Sequence, residues 1–500
     1  MFGAIAVIYL CFPTRNYFFD GIDFAQTIED LPAFHPSLLH PNHLVYNLVG
    51  SIFYRLILGL GINIRAVAAL QILNSLLSVL SAYVLFVILK SMLKSRYFCY
   101  ALTLLFAFSA TWWKFSTDAD AYIPSVLFLL LSFYLALPNR KPKPLLVALT
   151  YSISLCFHQI AVVSFPVFVV ALFFQDASVA RQRRMINALV FGGTAGLITL
   201  SAYAYSFYRL TQTFNLTNFV RWMVSYAPDE SFGFHAWNNL GFTLRGHSRL
   251  FFGGRLNASK GLVDPFMIGL FIVLAALFLI FAVQVIRHFK KPDLQWLRAL
   301  RQDPVRRTLA MLCLLWISLY LIFLFFLLAH HTFYRLFYLP ALIILLGLCR
   351  DSIKPVLRSY RLALFVAILF ITNFVTLIFP YSHVQKYPPL VLALEMNQVW
   401  PPGTVIYYGR PNSDASLVRY FNPGMIWTEL DAKSPEVIER EVGEASARGA
   451  SVWFETTAID QLSATPEGAA WLERHKKQES LRALTSKAHN IRFVQVVPAK

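Results

Sequence analysis

The chain has 500 residues, of which 57% are hydrophobic, 16% aromatic and only 14% charged, and its mean hydropathy is +0.55. These values exclude an ordinary soluble domain and make the lipid bilayer the expected surroundings. The net charge of +18 does not indicate a nucleic-acid partner, because the basic residues occur in short clusters between apolar runs.

Apolar runs of roughly bilayer length recur over the first three quarters of the chain. The run from 144 to 175 is too long for one helix, and the polar pair His158 and Gln159 predicts a break within it. Eleven transmembrane helices are predicted, at 2–13, 66–89, 97–113, 121–137, 144–158, 159–175, 187–208, 265–286, 308–329, 333–349 and 362–380.

The basic residues predict the orientation of these helices. With the first helix running outward, each cytoplasmic loop holds between three and seven Lys or Arg residues, at 90–96, 139–143, 181–184, 287–307 and 350–361. The short outer loops at 14–43, 112–120 and 330–335 hold only Arg15, Lys114 and Arg335. Lys and Arg are retained on the cytoplasmic side, so this asymmetry predicts an integral membrane protein with an extracytoplasmic C-terminus.

Two outer segments and a C-terminal domain complete the predicted organisation. Residues 1–383 are expected to form the transmembrane domain, with outer loops at 14–65 and 209–264. Within the first loop, 44–61 is predicted as a helix that lies along the interface, since another span would invert every later loop. Residues 384–500 have the mixed polar and apolar pattern of a small extracytoplasmic α/β domain.

The pattern of the C-terminal domain predicts particular elements. Strands are expected at 404–408, 425–428, 451–456 and 491–497, and helices at 435–448 and 466–476. The predicted fold class is therefore an all-α polytopic membrane bundle of about 11 helices with a small α/β domain. No glycine-rich phosphate-binding motif occurs in that domain.

Asp20 and Asp23 follow the first predicted span directly. Two carboxylates three residues apart share a helix face, so they could bind a divalent cation such as Mg²⁺ or Mn²⁺, or one of them could act as a base. A solvated cap at the membrane interface is the structural alternative. Both interpretations remain open from spacing alone.

Other polar residues stand at the outer ends of later spans. Asp120 precedes a predicted helix, where an acidic residue also serves as an N-terminal cap. His43 lies in a His- and Pro-rich segment whose spacing matches no usual zinc site. Tyr334 and Arg335 begin a late span, and an arginine at that depth needs a protein carboxylate or a ligand phosphate as partner.

Four short motifs resemble those of the GT-C class of membrane glycosyltransferases, and within it the bacterial relatives of protein O-mannosyltransferases and of aminoarabinose transferase. Asp20-Gly21-Ile22-Asp23-Phe24, followed by His40-Pro41-Asn42-His43, is similar to the acidic first loop of that class. Asp120-Ala121-Tyr122 resembles its acidic entrance to the fourth span, and Phe157-His158-Gln159 its polar break. Tyr334-Arg335-Leu336-Phe337-Tyr338-Leu339-Pro340 resembles its R-Y-x-x-P pattern, with Leu336 where Tyr is usual.

The resemblance implies a transferase that uses a sugar carried on a polyprenyl phosphate and acts on the outer face. It implies that Asp20 or Asp23 is the base or a metal ligand, that Asp120 is a second carboxylate of the site and that Arg335 contacts phosphate. His43, His158 and Tyr334 are further candidates for substrate binding. The acceptor class stays open between a glycan, a lipid and a protein.

Two other functions are compatible with the sequence. A transporter or flippase would also have many spans and a few charges at the membrane edge, but the chain shows no paired hydropathy halves. A noncatalytic relative with the same fold is the other alternative, since fold alone does not establish activity.

Overall fold

The computed structural model divides the chain into two compact units. One comprises 1–14 and 27–380, and the other comprises 15–26 and 381–500. The described residues are 1–176, 178–225, 236–253, 302–349, 359–409, 415–430, 433–486 and 489–498, with isolated positions between 269 and 283.

The regular elements described in the first unit are helices. The α-helices are α1 (Phe2–Cys11), α2 (Phe19–Asp30, whose residues to 26 belong to the second unit), α3 (Tyr46–Gly59), α4 (Ala66–Met92), α5 (Arg96–Ala107), α6 (Ala110–Ser116), α7 (Tyr122–Leu135), α8 (Pro144–Phe157), α9 (Phe165–Phe174), α10 (Arg181–Thr211), α11 (Leu216–Val224), α12 (Ala236–Phe251), α13 (Pro304–Leu327), α14 (Leu339–Leu348) and α15 (Ser359–Asn373). Short 3₁₀ segments occupy Pro36–Leu38, Gln159–Ser164 and Phe333–Phe337.

Among the described residues, four helices are long and apolar enough to cross a membrane, where eleven were expected. They are Ala66–Met92, Arg181–Thr211, Pro304–Leu327 and Arg361–Tyr381. Six other predicted spans are apolar helices of 10–17 residues. A helix of 14 residues is only about 21 Å long, against about 30 Å of hydrocarbon. The predicted span at 265–286 lies outside the described residues, apart from isolated positions.

Local breaks explain why several apolar runs give short helices. The predicted break at His158 is confirmed, because α8 ends at Phe157 and His158 takes an extended conformation with φ −159° and ψ 124°. A 3₁₀ segment, Gln159–Ser164, then precedes α9. At the late span, Phe333–Phe337 is also 3₁₀, and α14 begins only at Leu339. The apolar runs therefore predicted where the helices lie, but they overestimated how long the helices are.

A long central helix organises the first unit. Helix α4 packs against α1, α3, α5 and α7, and α8 packs against α7 and α10. The predicted interfacial segment is confirmed as a helix, α3. One face of α4 is polar although it is buried, and it carries Gln71, Asn74, Ser75 and Ser78. These residues follow the i, i+3, i+4, i+7 spacing, so they lie on one side of the helix.

The second unit contains a mixed five-stranded sheet. Its α-helices are α16 (Pro388–Val399), α17 (Ala415–Phe421), α18 (Pro435–Ala447), α19 (Thr456–Ser463) and α20 (Pro466–His475), and its strands are β1 (Val405–Tyr408), β2 (Ile426–Glu429), β3 (Val452–Glu455), β4 (Lys476–Ser486) and β5 (His489–Val496). The strand order is β2-β1-β3-β5-β4. Strand β1 is parallel to β2 and β3, whereas β5 is antiparallel to β3 and β4. Four strands coincide with predicted segments, and β4 is an addition.

The alternation of side chains along β1 builds two cores. Val405 and Tyr407 face a cluster that includes Ile438 and Val442 of α18. Ile406 and Tyr408 face the opposite cluster, which includes Met396 of α16. Successive residues of a strand point to opposite faces, so both faces of this sheet are covered by helices.

Residues 15–26 pack with this second unit rather than with the helices that follow them. The Tyr17 ring lies 6.0 Å from the ring of Phe421 in α17. The Arg15 amide donates to the carbonyl of Tyr381. The first part of the predicted outer loop 14–65 is thus grouped with the C-terminal residues, through contacts that are distant in sequence.

Candidate functional site

The polar face of α4 holds the segment that carries Asp120. The Gln71 amide donates to the carbonyls of Thr14 and Thr117, at 2.7 and 3.0 Å. The Asn74 amide donates to the carbonyls of Asp118 and Asp120, at 2.8 and 2.7 Å. A buried carbonyl without a partner costs about 1–3 kcal/mol, so these side chains fix the backbone before Tyr122.

The two acidic residues of this segment have different surroundings. The Lys114 ammonium pairs with the fully buried Asp118, whose other oxygen accepts the amide of Ala119 at 2.9 Å. The charge of Asp118 is thus neutralised by Lys114 of the preceding helix, α6. Asp120 is also fully buried, and its charge acts on the hydroxyl of Tyr46. Asp120, which was predicted as a site carboxylate, therefore faces the start of α3.

Aromatic rings gather next to this segment. The His158 ring centroid lies 4.7 Å from that of His43, 5.0 Å from Tyr122 and 5.7 Å from Tyr334. Tyr122 and Tyr334 are themselves 5.7 Å apart. We call His43, Tyr122, His158 and Tyr334 the ring cluster. The structure therefore brings together three residues that sequence reasoning selected separately, and Tyr122 joins them.

The break at His158 orients its ring. The Ile160 amide donates to His158 Nδ1 at 3.2 Å, so the neutral ring carries its proton on Nε2. That Nε2 is buried and has no hydrogen-bond partner among the described residues. A buried donor of this kind is available to a ligand oxygen.

His40 and His43 of the first loop are neutral at ordinary pH. Burial lowers the pKa of His43 to about 3 and that of His40 to about 4, and His40 further lowers the pKa of His43. The Asn42 amide donates to His43 Nε2 at 3.2 Å. Burial disfavours the charged imidazole of both residues, because the charged form loses its hydration.

Arg335 is fully buried. Its Nη1 donates to the His331 carbonyl at 2.5 Å and its Nη2 to the Ala329 carbonyl at 3.0 Å. Its Nε has no hydrogen-bond partner, and no carboxylate in the described part of the chain lies within ion-pair distance. A structural pair with a loop aspartate, the alternative raised by the sequence, is therefore not present among these residues.

Asp20 and Asp23 belong to the second unit, whereas Asp120, Arg335 and the ring cluster belong to the first. The two carboxylates lie near the start of α2, one helical turn apart, with Asp20 half-buried and Asp23 exposed. The pKa of Asp23 is raised by partial desolvation, while a hydrogen bond with Ser416 and the charge of Arg419 lower it. Asp23 thus has polar and basic neighbours on α17.

A divalent cation at Asp20 and Asp23 stays a prediction. No group of three or more His, Cys, Asp or Glu side chains in the described part of the chain is arranged to hold a metal ion. A pair of carboxylates is the number that Mg²⁺ often takes from a protein, with water and substrate phosphate as its other ligands.

Sequence reasoning missed the residues that position the site. Gln71 and Asn74 lie inside a predicted span, and their spacing of three residues was the available signal. Neither carries chemistry by itself, but both determine the course of the backbone between Thr117 and Asp120.

Comparisons with known proteins identify the fold of this chain. No protein-family model matches the chain, and no curated protein matches it. The structure is similar to that of ArnT from Cupriavidus metallidurans bound to undecaprenyl phosphate, with a TM-score of 0.59, 10% identity, and 99% of this chain and 97% of that chain covered. The apo form of that ArnT gives a TM-score of 0.44 at 11% identity, over 99% of this chain and 97% of that one. The apo oligosaccharyltransferase of Archaeoglobus fulgidus gives 0.44 at 12% identity, over 94% of this chain and 71% of that one.

The structural alignment with the ArnT complex spans nearly the full length of both chains. The chain therefore has the fold of the GT-C membrane glycosyltransferases, as the four motifs indicated. At this level of identity the likeness establishes the fold and no residue roles.

Proposed function

We propose that this protein is an integral-membrane glycosyltransferase that moves a sugar from a polyprenyl-phosphate donor to an acceptor on the outer face of the membrane. The observation that carries the proposal is the buried guanidinium of Arg335, which has no carboxylate at ion-pair distance among the described residues. The fold supports it, because the similar ArnT structure contains undecaprenyl phosphate.

The charge of Arg335 favours an anionic ligand. Burying an unpaired charge costs several kcal/mol, about the amount that a phosphate partner with good geometry would offset. The two backbone carbonyls solvate Nη1 and Nη2 but carry no full charge. A phosphate oxygen would supply that charge and accept from Nε. A lipid phosphate also keeps its prenyl chain in hydrocarbon while its headgroup reacts.

The carboxylates suit the other half of the reaction. Glycosyl transfer with inversion needs a base for the attacking hydroxyl and stabilisation of an oxocarbenium-like transition state. We assign the base to Asp20 or Asp23, and we assign Asp120 as a second carboxylate that binds substrate. Breaking the sugar–phosphate bond leaves the electron pair on phosphate, where Arg335 stabilises the new charge.

The ring cluster suits the neutral part of the donor. His43, His158 and Tyr334 present rings and polar atoms together, and the unsatisfied Nε2 of His158 is a donor for a sugar hydroxyl or a phosphate oxygen. A neutral imidazole binds a hydroxyl without adding a buried charge. We give these residues substrate-binding roles. Asp20 and Asp23 are the carboxylates that would hold a divalent cation such as Mg²⁺, and the roles given above do not depend on one.

The proposed orientation has its own test. The positive-inside pattern places the active site and the C-terminal unit outside a bacterial inner membrane. Reporter fusions after residues 143 and 382 are expected to report opposite sides. The same side for both would overturn the orientation.

The function is tested with purified protein in nanodiscs. Polyprenyl-phosphate sugars extracted from the native membranes are supplied with an envelope fraction as acceptor, and products are identified by mass spectrometry. A new covalent sugar adduct that depends on the protein supports transfer. Movement of the lipid-linked sugar across the membrane of proteoliposomes without any covalent product would instead indicate a flippase. The absence of both the product and the movement would indicate a noncatalytic relative.

A further inference from the structure

We propose that helix α12 is a positioning element for Arg335, with Gly246 admitting the guanidinium and His247 fixing the adjoining Tyr338. The inference rests on the proposed function, because it concerns the arginine to which we assign the donor phosphate. Residues 209–264 were predicted only as an outer loop, and neither Gly246 nor His247 is part of any motif noted above.

Gly246 allows α12 and Arg335 to approach closely. A Cβ at this position would lie 2.4 Å from Arg335 Cζ and 2.6 Å from its Nε. Real Cβ atoms do not come this near to another heavy atom, so any side chain would displace the guanidinium or the helix. The contact involves the charged end of the arginine, the part that would bind phosphate.

His247 provides a second attachment on the next residue. Its Nδ1 is 2.8 Å from the Thr243 carbonyl, which can only accept, so the proton of the neutral ring is on Nδ1. Nε2 is then an acceptor, and the Tyr338 hydroxyl donates to it at 2.9 Å. This bond ties α12 to the residue just after the 3₁₀ segment Phe333–Phe337, which contains Arg335.

The charges around His247 favour this arrangement. Burial lowers the pKa of His247, the hydrogen bond to the Thr243 carbonyl raises it by less, and the nearby charge of Arg335 lowers it by a smaller amount still. A neutral ring keeps Nε2 available to Tyr338. It also keeps a second positive charge away from the guanidinium.

Helix α12 offers a matched control for the glycine. Gly241 lies on the same helix, and a Cβ there would meet nothing within 4 Å. Gly246→Ala and Gly241→Ala add the same methyl group and nearly the same helix propensity. A difference between them therefore reports the contact with Arg335.

The first experiment measures binding of undecaprenyl phosphate by native mass spectrometry and, in parallel, kinetics with the lipid-linked donor. We expect Gly246→Ala to weaken binding and raise KM by about tenfold, as for a misplaced binding group, while Gly241→Ala behaves as wild type. Equal binding and equal KM in the two variants would overturn the inference. Binding that follows this pattern without any sugar transfer would overturn the proposed function and leave the positioning role supported.

A double-mutant cycle tests the His247 bond with changes that keep the aromatic volume. His247→Phe and Tyr338→Phe each remove the hydrogen bond, so the double variant is expected to raise KM no further than either single change. His247→Gln retains an acceptor and is expected to recover part of the loss. Strictly additive effects on KM, with no recovery by His247→Gln, would contradict the positioning role.

Discussion

The ring cluster and the Asp20–Asp23 pair are two candidate regions with opposite physical character. In the first unit, Arg335 and three members of the ring cluster are buried, Tyr334 is half-buried, and hydrogen bonds from α4 fix the backbone that precedes Tyr122. Asp20 and Asp23 lie in the second unit, where Asp23 is exposed. A phosphate-binding group gains from burial, because its interaction with an anion strengthens at low dielectric. A base instead needs access to the acceptor and to water.

The largest effect is expected from the carboxylates. Removing a general base lowers the rate by about 10²–10⁴-fold, so Asp20→Asn or Asp23→Asn, whichever is the base, is expected to lose transfer with expression unchanged. Initial rates in nanodiscs measure this. Asp30→Asn is the control, since Asp30 is an exposed residue on the same helix. Full activity in both Asp20→Asn and Asp23→Asn would contradict the assignment of a base to this pair.

A somewhat smaller effect is expected at Arg335. Arg335→Lys keeps a positive charge but loses the planar fork, so KM for the lipid-linked donor should rise by about ten- to a hundredfold. Arg335→Met removes the charge and should raise KM further or abolish binding. Steady-state kinetics over donor concentration separate KM from kcat. A KM equal to that of wild type in both variants would exclude a phosphate contact.

The polar face of α4 makes a prediction about stability. Asn74→Ala leaves the carbonyls of Asp118 and Asp120 without their shared donor, which should lower the free energy of unfolding by about 1–3 kcal/mol. Leu80→Ala, at an exposed position of α4, is the control. Thermal unfolding in detergent compares the two. Similar melting temperatures would show that these bonds contribute little.

The buried His43 predicts that the stability of the folded protein depends on pH. His43 titrates near 3 in the folded protein and near its ordinary value of about 6.5 when unfolded, so the unfolded chain binds more protons between these values. Stability should therefore fall as the pH is lowered from about 6.5 toward 4. His43→Gln, which does not titrate, should show a shallower dependence. An identical slope in both proteins would mean that His43 is not buried in its neutral form.

The smallest effect concerns the basic neighbour of Asp23. Arg419 lowers the pKa of Asp23, so Arg419→Gln should raise it and move the acid limb of the pH–rate profile to higher pH. The shift should be less than about one pH unit, because an exposed pair is screened by water. Arg448→Gln, on a different part of the second unit, is the control. A shift to lower pH would contradict the assignment of Asp23 as the base.

The sequence predicted local features better than distant groupings. The break at His158 and four strands of the second unit were predictable because polar pairs and alternating patterns are local signals. Strand β4 was missed because Lys476–Ser486 is rich in charged and polar residues, as is common for a strand at the edge of a sheet. Helix lengths were overestimated because hydropathy does not register a 3₁₀ segment such as Phe333–Phe337.

The candidate site was predictable in its residue types and only partly in its arrangement. His43, His158 and Tyr334 were selected separately from the sequence, and the structure brings them together. The interaction of Asp23 with α17 was not predictable, because Asp23 and Arg419 are far apart in sequence. The contact between Gly246 and Arg335 is hidden for the same reason.

The most direct test of the proposed transferase is mass spectrometry of envelope lipids, glycans and glycoproteins from cells with and without the gene. The proposal predicts a sugar-bearing product that disappears without the gene. The wild-type protein and the Asp30→Asn variant should restore it, and the Asp20→Asn, Asp23→Asn double variant should not. The same set of products in both strains, or full restoration by the double variant, would contradict it.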